Sequence, residues 1–259
     1  MAQTSSTAIT FTAPGEIRFR GYAVEELMGN VDFGQAVYLL LRGELPDAKV
    51  GRLMTAILVS SIDHGPGAPS VLGARTAAST GAQLNACVAS GVLNINRFHG
   101  GAVEDCAKAI HEIIARADST GESLPEATDA VLAEYRARKY HVAGFGHQLH
   151  PRDPRTPRLF QLAEEAGVSG RYVETCLCIE AGLEKHLGKK LPINVSGAIA
   201  AVLLELGFEP DLMNGFFIIS RVPGLVAQAR EEMTREKKMR KIIPGAHEYD
   251  GPGPRTIPK

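Results

Sequence analysis

Residues 144–155 read Gly-Phe-Gly-His-Gln-Leu-His-Pro-Arg-Asp-Pro-Arg. His147 sits on a glycine-flanked turn, and Arg152, Arg155 and Arg158 follow close behind it. Glycine lets the backbone approach a ligand closely and adopt dihedrals that other residues resist. Arginine supplies a planar fork of donors for carboxylate or phosphate. The stretch therefore points to an anionic ligand polarised by His147. The plain alternative is a solvated, proline-rich basic loop holding an ordinary histidine. The sequence on either side decides between them.

Helical periodicity dominates both flanks. Upstream, 22–28 and 32–42 read as short helices, the second stopped by Gly43-Glu44-Leu45-Pro46. A helix over 48–62 follows, broken by Asp63-His64-Gly65-Pro66-Gly67. Residues 70–92 are rich in Ala, Ser, Thr and Gly, which predicts one close-packed buried helix. A helix over 102–117 comes next. Ser123 with Glu126 forms a capping-box pattern opening a charged surface helix to Arg138. Downstream, the pattern predicts helices over 158–166, 170–187, 197–206 and 211–240. The tail, 244–259, is rich in Gly and Pro and reads as extended. Only 9–11 and 17–19 alternate like strands, which predicts one small hairpin. The expected class is all-α with that hairpin at the N-terminal end, and no internal repeat is visible.

Composition narrows the function. Of 259 residues, 44% are hydrophobic and 22% charged, as in a globular protein built around a core. The formal net charge of −1 gives no global field for nucleic acid, so basic residues matter only where they cluster. Cys87, Cys106, Cys176 and Cys178 are too few for a disulfide scaffold and lack zinc-site spacing. Buried reduced thiols are expected, which fits a cytoplasmic location. The opening MAQTSSTAIT lacks a basic start followed by an apolar core, so no secretory signal is expected. The longest apolar run, 215–226, contains Arg221 and is too short to span a bilayer, so no membrane partner is expected.

Other constellations join His147. His99, in Asn96-Arg97-Phe98-His99-Gly100-Gly101-Ala102, is a second glycine-flanked histidine and opens a helix. The partial positive charge at a helix N-terminus favours a neutral imidazole, able to donate to a carbonyl or enolate oxygen. The alternative is a histidine that caps the helix. His64 follows an apolar helix, where capping is the common role, and Ser70 and Arg75 lie on the next helix. Arg221 sits in an almost wholly apolar run, 214–227, and a guanidinium buried there needs an anionic partner. That partner is either a structural carboxylate such as Glu205 or a carboxylate of the substrate. Ser196, entering an apolar helix, is placed as its N-cap. A metal site from His141, His147 and His150 is not expected, because their spacing suits no single helical face and arginines crowd them.

These motifs occur in a familiar order. The chain runs from Gly15-Glu16-Ile17-Arg18-Phe19-Arg20-Gly21-Tyr22 and 37–46 through Asp63-His64 and Ala74-Arg75-Thr76-Ala77-Ala78-Ser79-Thr80. His99-Gly100-Gly101-Ala102, Gly144-Phe145-Gly146-His147, Asp153-Pro154-Arg155 and Ser220-Arg221 follow. In this the whole chain resembles the citrate synthase family. The resemblance implies a largely α-helical dimer with a large domain (1–109 and 200–259) and a small one (110–199). The active site would lie between them. His99 would hydrogen-bond a thioester carbonyl and stabilise its enolate. His147 would bond the carbonyl of a 2-oxo acid, or the tertiary alcohol of the condensed product. Arg155 and Arg221 would hold carboxylates with the help of His64. Ala143, Gly144, Phe145 and Gly146 would lie against coenzyme A, with Arg152 or Arg158 at its phosphates. Arg240, before Ile243-Pro244, matches the arginine that the family gives to the partner subunit.

Two departures shape the expected function. Only residues 47–62 join the Gly-Glu-Leu-Pro turn to Asp63-His64, shorter than in full-length citrate synthases. This compact form resembles citryl-CoA lyases and the lyase module of ATP-citrate lyase, which cleave citryl-CoA to acetyl-CoA and oxaloacetate. Second, Ser196 stands where the family has the aspartate that moves the proton at the acetyl carbon. A serine hydroxyl is a far weaker base than a carboxylate of pKa near ~4. Removing a positioned general base typically costs about 10²–10⁴-fold. The loop before Arg155 is also about one residue shorter than the family pattern. The resemblance thus implies a carbon–carbon lyase with a coenzyme A thioester as substrate, no covalently bound cofactor and a homodimeric or larger assembly. The alternatives are a condensing enzyme of the synthase type and a non-catalytic acyl-CoA or carboxylate binder.

Overall fold

The computed structural model describes residues 6–147, 151–240, 250–251 and 253–256. Thr10–Ala13 (β1), Glu16–Phe19 (β2) and Tyr22–Ala23 (β3) form an antiparallel sheet in that order. Thr10 pairs with Phe19, and Arg18 with Ala23. The expected hairpin is therefore present but carries a third strand. Gly15 and Gly21 reverse the chain at positive φ, and the second turn returns Tyr22 and Ala23 to the sheet. The helix expected over 22–28 shrinks accordingly to Val24–Leu27 (α1).

Phe33–Arg42 (α2) opens on a capping box between Asp32 and Gln35 and closes on Gly43 in the left-handed region. Asp47 caps Ala48–Ser60 (α3), whose last turn faces the site described below. The single helix expected over 70–92 is two, Pro69–Ser79 (α4) and Leu84–Leu93 (α5). At the break, Ser79 and Thr80 hydroxyls donate back to the carbonyls of Thr76 and Ala77, and Gly81 takes φ +92°. The small residues close the resulting hairpin on itself. Ser90 Oγ donates to Gly73 O at 3.1 Å, an approach only small side chains permit.

Ala102–Thr120 (α6) and Leu124–Ala137 (α7) follow, the latter opened by the expected Ser123–Glu126 capping box. Arg155–Glu165 (α8) starts earlier than the expected 158, directly after Pro154. Arg171–Leu187 (α9) and Val195–Glu205 (α10) complete the centre. After a 3₁₀ turn at Pro210–Leu212, Met213–Arg235 (α11) ends before the expected 240. Of the tail, residues 250–251 and 253–256 are described and lie outside helices and strands; the rest of it falls outside the described residues.

The core forms around α10. Val195 and the run from Gly197 to Leu204 are buried, as an all-round apolar helix requires. α6, α8 and α9 surround it, and Cys106 and Cys176 are buried there as free thiols. No described helix is long and apolar enough to cross a membrane. The end of α3, the starts of α4, α8 and α10, the loop before α6 and the first half of α11 converge on one cavity.

Candidate active site

His64, His99, His147, Arg155, Ser196 and Arg221 all line a cavity of about 200 Å³, with Phe98, Asn194 and Phe217 beside them. The rings of His64 and His147 stand edge to face, 6.2 Å apart between centroids. Six side chains scattered over more than 150 positions thus meet in one place.

The C-terminus of α3 organises the arginines. The last carbonyls of a helix lack partners within it and carry partial negative charge. Here Ser220 Oγ donates to Leu58 O, Arg155 Nη1 to Ser60 O at 3.0 Å, and Arg221 Nε to Ser61 O at 2.9 Å. Arg221 is 3% exposed, and its guanidinium lies 4.7 Å from the centroid of the Phe217 ring. No carboxylate among the described residues lies within ion-pair distance of it. The structural partner considered above, Glu205, is used elsewhere: its Oε1 accepts from the N–H groups of Gly170, Tyr172 and Val173 at the start of α9. Burial pulls the Arg221 pKa below its usual value, against the opposing charge of Asp63. Among the described residues its direct partners are thus a carbonyl, a hydroxyl and an aromatic ring, with no ion pair.

Arg155 enters the cavity with part of its fork committed. Nε and Nη2 donate to Asp153 Oδ1 and Oδ2 at 2.9 and 2.8 Å. Asp153 also accepts from Val195 N at 2.9 Å, which ties this pair to the start of α10. Burial works to raise the Asp153 pKa, but the hydrogen bonds from Arg155 and Val195 prevail and lower it. Asp153 received no role of its own from the sequence, although the Asp-Pro-Arg spacing brings its carboxylate next to the guanidinium.

His99 points its Nε2 at the start of α4. Ser70 Oγ lies 2.8 Å from that nitrogen, and Ser70 N donates to it at 3.4 Å. Arg221 Nη1 donates to the same Ser70 Oγ at 3.3 Å, so the hydroxyl proton is directed to His99. Nε2 is then an acceptor, and the imidazole proton sits on Nδ1. Burial, followed by Arg221 and His64, lowers the His99 pKa. His64 is lowered too, by burial and then by Arg155, Arg221 and His147, with Asp63 opposing. The lowered pKa runs in the direction expected from the sequence, but its causes are burial and the neighbouring Arg221 and His64 rather than the N-terminus of α6.

The glycine turn locks against α10. Gly144 and Gly146 take positive φ, Asn194 N donates to Gly144 O at 3.0 Å, and Gly146 N donates to Pro192 O at 2.7 Å. A Cβ at Gly144 would lie 2.8 Å from Cys106 Sγ and 2.9 Å from Gly197 Cα, which fixes glycine there. The N-cap of α10 is Asn194, not Ser196. Asn194 Oδ1 accepts from Ser196 N at 2.9 Å, and Val195 N is taken by Asp153. Ser196 is consequently the second residue of the helix, with no capping role, and lines the cavity.

Comparison with known proteins gives the family. The family pattern described as citrate synthase, C-terminal domain, matches residues 1–51 and 46–243. The chain belongs to the citrate synthase family. Citryl-CoA lyase from Hydrogenobacter thermophilus is 41% identical, with a TM-score of 0.88 over 99% of this chain and 98% of that one. An ATP citrate lyase of Methanosaeta concilii in complex with (3S)-citryl-CoA shares the fold, with a TM-score of 0.83 at 21% identity over 98% of this chain and 42% of that one. Glyoxysomal citrate synthase of Cucurbita maxima is 26% identical over 246 residues, 90% of this chain and 46% of that protein. The chain spans about half the length of the curated relatives it matches.

Several singled-out residues of this citrate synthase family member lie outside the central cavity. Arg152 lines a neighbouring cavity of about 400 Å³ with Lys190 and Pro192. Phe145 lines another of about 490 Å³ with Tyr135, Tyr140, Arg136, Lys139 and His141. Ala143, Gly144 and Gly146 share the turn that carries Phe145. Arg158 is exposed beside Glu165 at 3.8 Å. Arg240 lies beyond the end of α11, where its Nε donates to Glu232 Oε1 at 3.1 Å. His150 falls outside the described residues. Among the described residues, no three His, Cys, Asp or Glu side chains group as a metal site would need.

Proposed function

We propose that this protein cleaves citryl-CoA, or a close analogue, to acetyl-CoA and oxaloacetate. The observation that carries this reading is one shared hydroxyl. Ser70 Oγ links a buried guanidinium without a carboxylate, Arg221, to a neutral histidine, His99, in a single cavity. The likeness to citryl-CoA lyase over the whole chain supports it. In the reaction, His147 takes the proton from the tertiary hydroxyl of citryl-CoA. The alkoxide electrons form the ketone of oxaloacetate as the carbon–carbon bond breaks, and the bonding pair moves into the thioester as an enolate. His99 Nδ1–H donates to the enolate oxygen, a preorganised donor aimed at developing charge. Arg221, the free part of Arg155 and His64 hold the carboxylates.

Ser196 bears on the proton at the acetyl carbon. A serine hydroxyl is far too weak a base to do the work of a carboxylate there. In cleavage the enolate carbon takes its proton from water beside Ser196, and the hydroxide left is neutralised by the proton that His147 took from the tertiary hydroxyl. The serine thus leaves proton transfer at this carbon to water or to its own hydroxyl. It also motivates a second reading, a non-catalytic acyl-CoA or carboxylate binder. The aromatic and basic cavity around Phe145, Tyr140 and Lys139 suits an adenine nucleotide, and Arg152 with Lys190 suits phosphate. On this reading coenzyme A enters from that side, and the unit over 110–199 closes on the remainder. The assembly is a homodimer working in the cytoplasm. Arg240 would exchange Glu232 for a ligand carboxylate in the partner's cavity, leaving Glu232 paired with Arg75.

Incubation of the pure protein with citryl-CoA, with oxaloacetate followed through coupled malate dehydrogenase, tests the proposal. Wild type is expected to release oxaloacetate, and Ser196→Asp to gain cleavage or acetyl-CoA proton exchange. Measurable coenzyme A binding without product from wild type would leave the binder reading. A Ser196→Asp variant with neither gain would show that position 196 does not face the reacting carbon.

A further inference from the structure

α11 fastens the turn carrying His64 at three points along one of its faces. Arg221, Gly224 and Gln228 are spaced i, i+3 and i+7 and so share a side of the helix. Arg221 Nε donates to Ser61 O at 2.9 Å. At Gly224 the helix backbone lies against Ile62 O, where a Cβ would sit 2.1 Å away. Gln228 Nε2 donates to Asp63 Oδ2 at 3.1 Å. That same oxygen accepts from Gly65 N at 3.0 Å, so Asp63 spans the residue between them, His64. Gln228 is fixed in turn, because Arg75 Nη1 donates to its Oε1 at 2.7 Å. Arg75 is held by Glu232 through Nε at 2.8 Å, and both are buried. The other Asp63 oxygen, Oδ1, is buried with no hydrogen-bond partner among the described residues. The place of the carboxylate thus depends on Gln228 and one backbone N–H.

We propose that Gln228 is a positioning residue for His64: its amide, clamped between Arg75 and Asp63, sets where the imidazole meets the ligand carboxylate bound by Arg221. The proposal rests on the reading of the cavity as a di- or tricarboxylate site. Gln228 does not line the cavity and acts only through Asp63. The charged groups facing His64 are Arg155 from α8, Arg221 from α11, His147 and His99 from their loops, and Asp63 in its own turn. Asp63 is the anionic one among them, so moving it changes both the position and the titration of His64.

Two variants separate this role from general packing. Gln228→Leu removes both hydrogen bonds. Gln228→Glu keeps the acceptor for Arg75, and so the buried Arg75 network, but replaces the donor to Asp63 with a carboxylate oxygen that repels it; Gln228→Leu removes the donor without adding charge. Citrate binding by calorimetry is expected to weaken on the order of tenfold in both, the scale of one hydrogen bond to a charged group. The His64 titration midpoint, followed by NMR of the imidazole, is expected to shift, while coenzyme A binding stays at the wild-type value. A folded Gln228→Glu protein with wild-type citrate affinity and an unmoved His64 midpoint would overturn the proposal. If wild type itself fails to bind citrate, the carboxylate reading falls, and the His64 midpoint alone decides the positioning role.

Discussion

At His99, burial and then Arg221 and His64 hold the imidazole pKa down, while Ser70 Oγ and Ser70 N occupy its Nε2. His64 is likewise lowered by burial and by the cations around it. Both histidines titrate in the folded chain below the ordinary value of about 6.5. The unfolded chain therefore binds more protons between the folded pKa values and that reference. Stability is fully present above about pH 6.5 and is lost as pH falls through the folded values. The melting temperature is expected to drop from pH 8 to pH 5.5, and His99→Gln to flatten part of that drop. Identical slopes in the two proteins would show that His99 is not the group responsible. The histidine itself was legible, because glycines flank it and a helix follows. Its partner was not, since Ser70 lies 29 positions away and one serine in a small-residue helix carries no local signal. The role of Asp153 is hidden for a different reason: its motif with Pro154 and Arg155 reads as a loop, while its burial at 1% exposure depends on α10 arriving from elsewhere.

Among the elements, helices were legible wherever one face is apolar, and their ends where a capping box or a stop glycine marks them, as at Ser123 and Gly43; elsewhere the ends were not. Two capping-competent residues, Asn194 and Ser196, stand two positions apart, and only the folded chain chooses Asn194. The break between α4 and α5 was hidden because Ala, Ser, Thr and Gly serve a close-packed helix and a turn equally well. α11 continues through Pro223 and presses Gly224 onto the end of α3. This contact makes a prediction at the scale of two helices. Gly224→Ala should gain about 1 kcal/mol of helix propensity in isolation. The added Cβ, however, would lie 2.1 Å from Ile62 O, a backbone atom that moves only with the whole turn. Overpacking of this kind typically costs about 1–3 kcal/mol. Urea denaturation is expected to show net destabilisation, together with weaker citrate binding as Arg221 and His64 separate. A variant as stable as wild type would mean that α11 and the turn are not in rigid contact.

Over the whole molecule, the proposed dimer makes a prediction that joins charge to exposed surface. A dicarboxylate in the cavity asks for more than one uncommitted cation; of the two described arginines that line it, Arg155 is engaged by Asp153 and Arg221 has no carboxylate. Arg240, the remaining arginine of the resemblance, is bound at the far end of α11. A second copy supplying its own Arg240 would complete the count. The surface offers a place for that copy. Leu72 is 43% exposed, Leu93 78% and Phe98 96%, along the α4–α5 hairpin and the loop after it. Large exposed apolar side chains are where a second copy would be expected to dock. Light scattering at micromolar concentration is expected to give twice 27.7 kDa. Leu72→Glu with Leu93→Glu should give a monomer of unchanged helix content that has lost oxaloacetate release but still binds coenzyme A. That combination would tie assembly to the carboxylate end of the proposed site. A wild-type monomer that retains full turnover would assign the second cation to the same chain and leave the exposed leucines without a catalytic role.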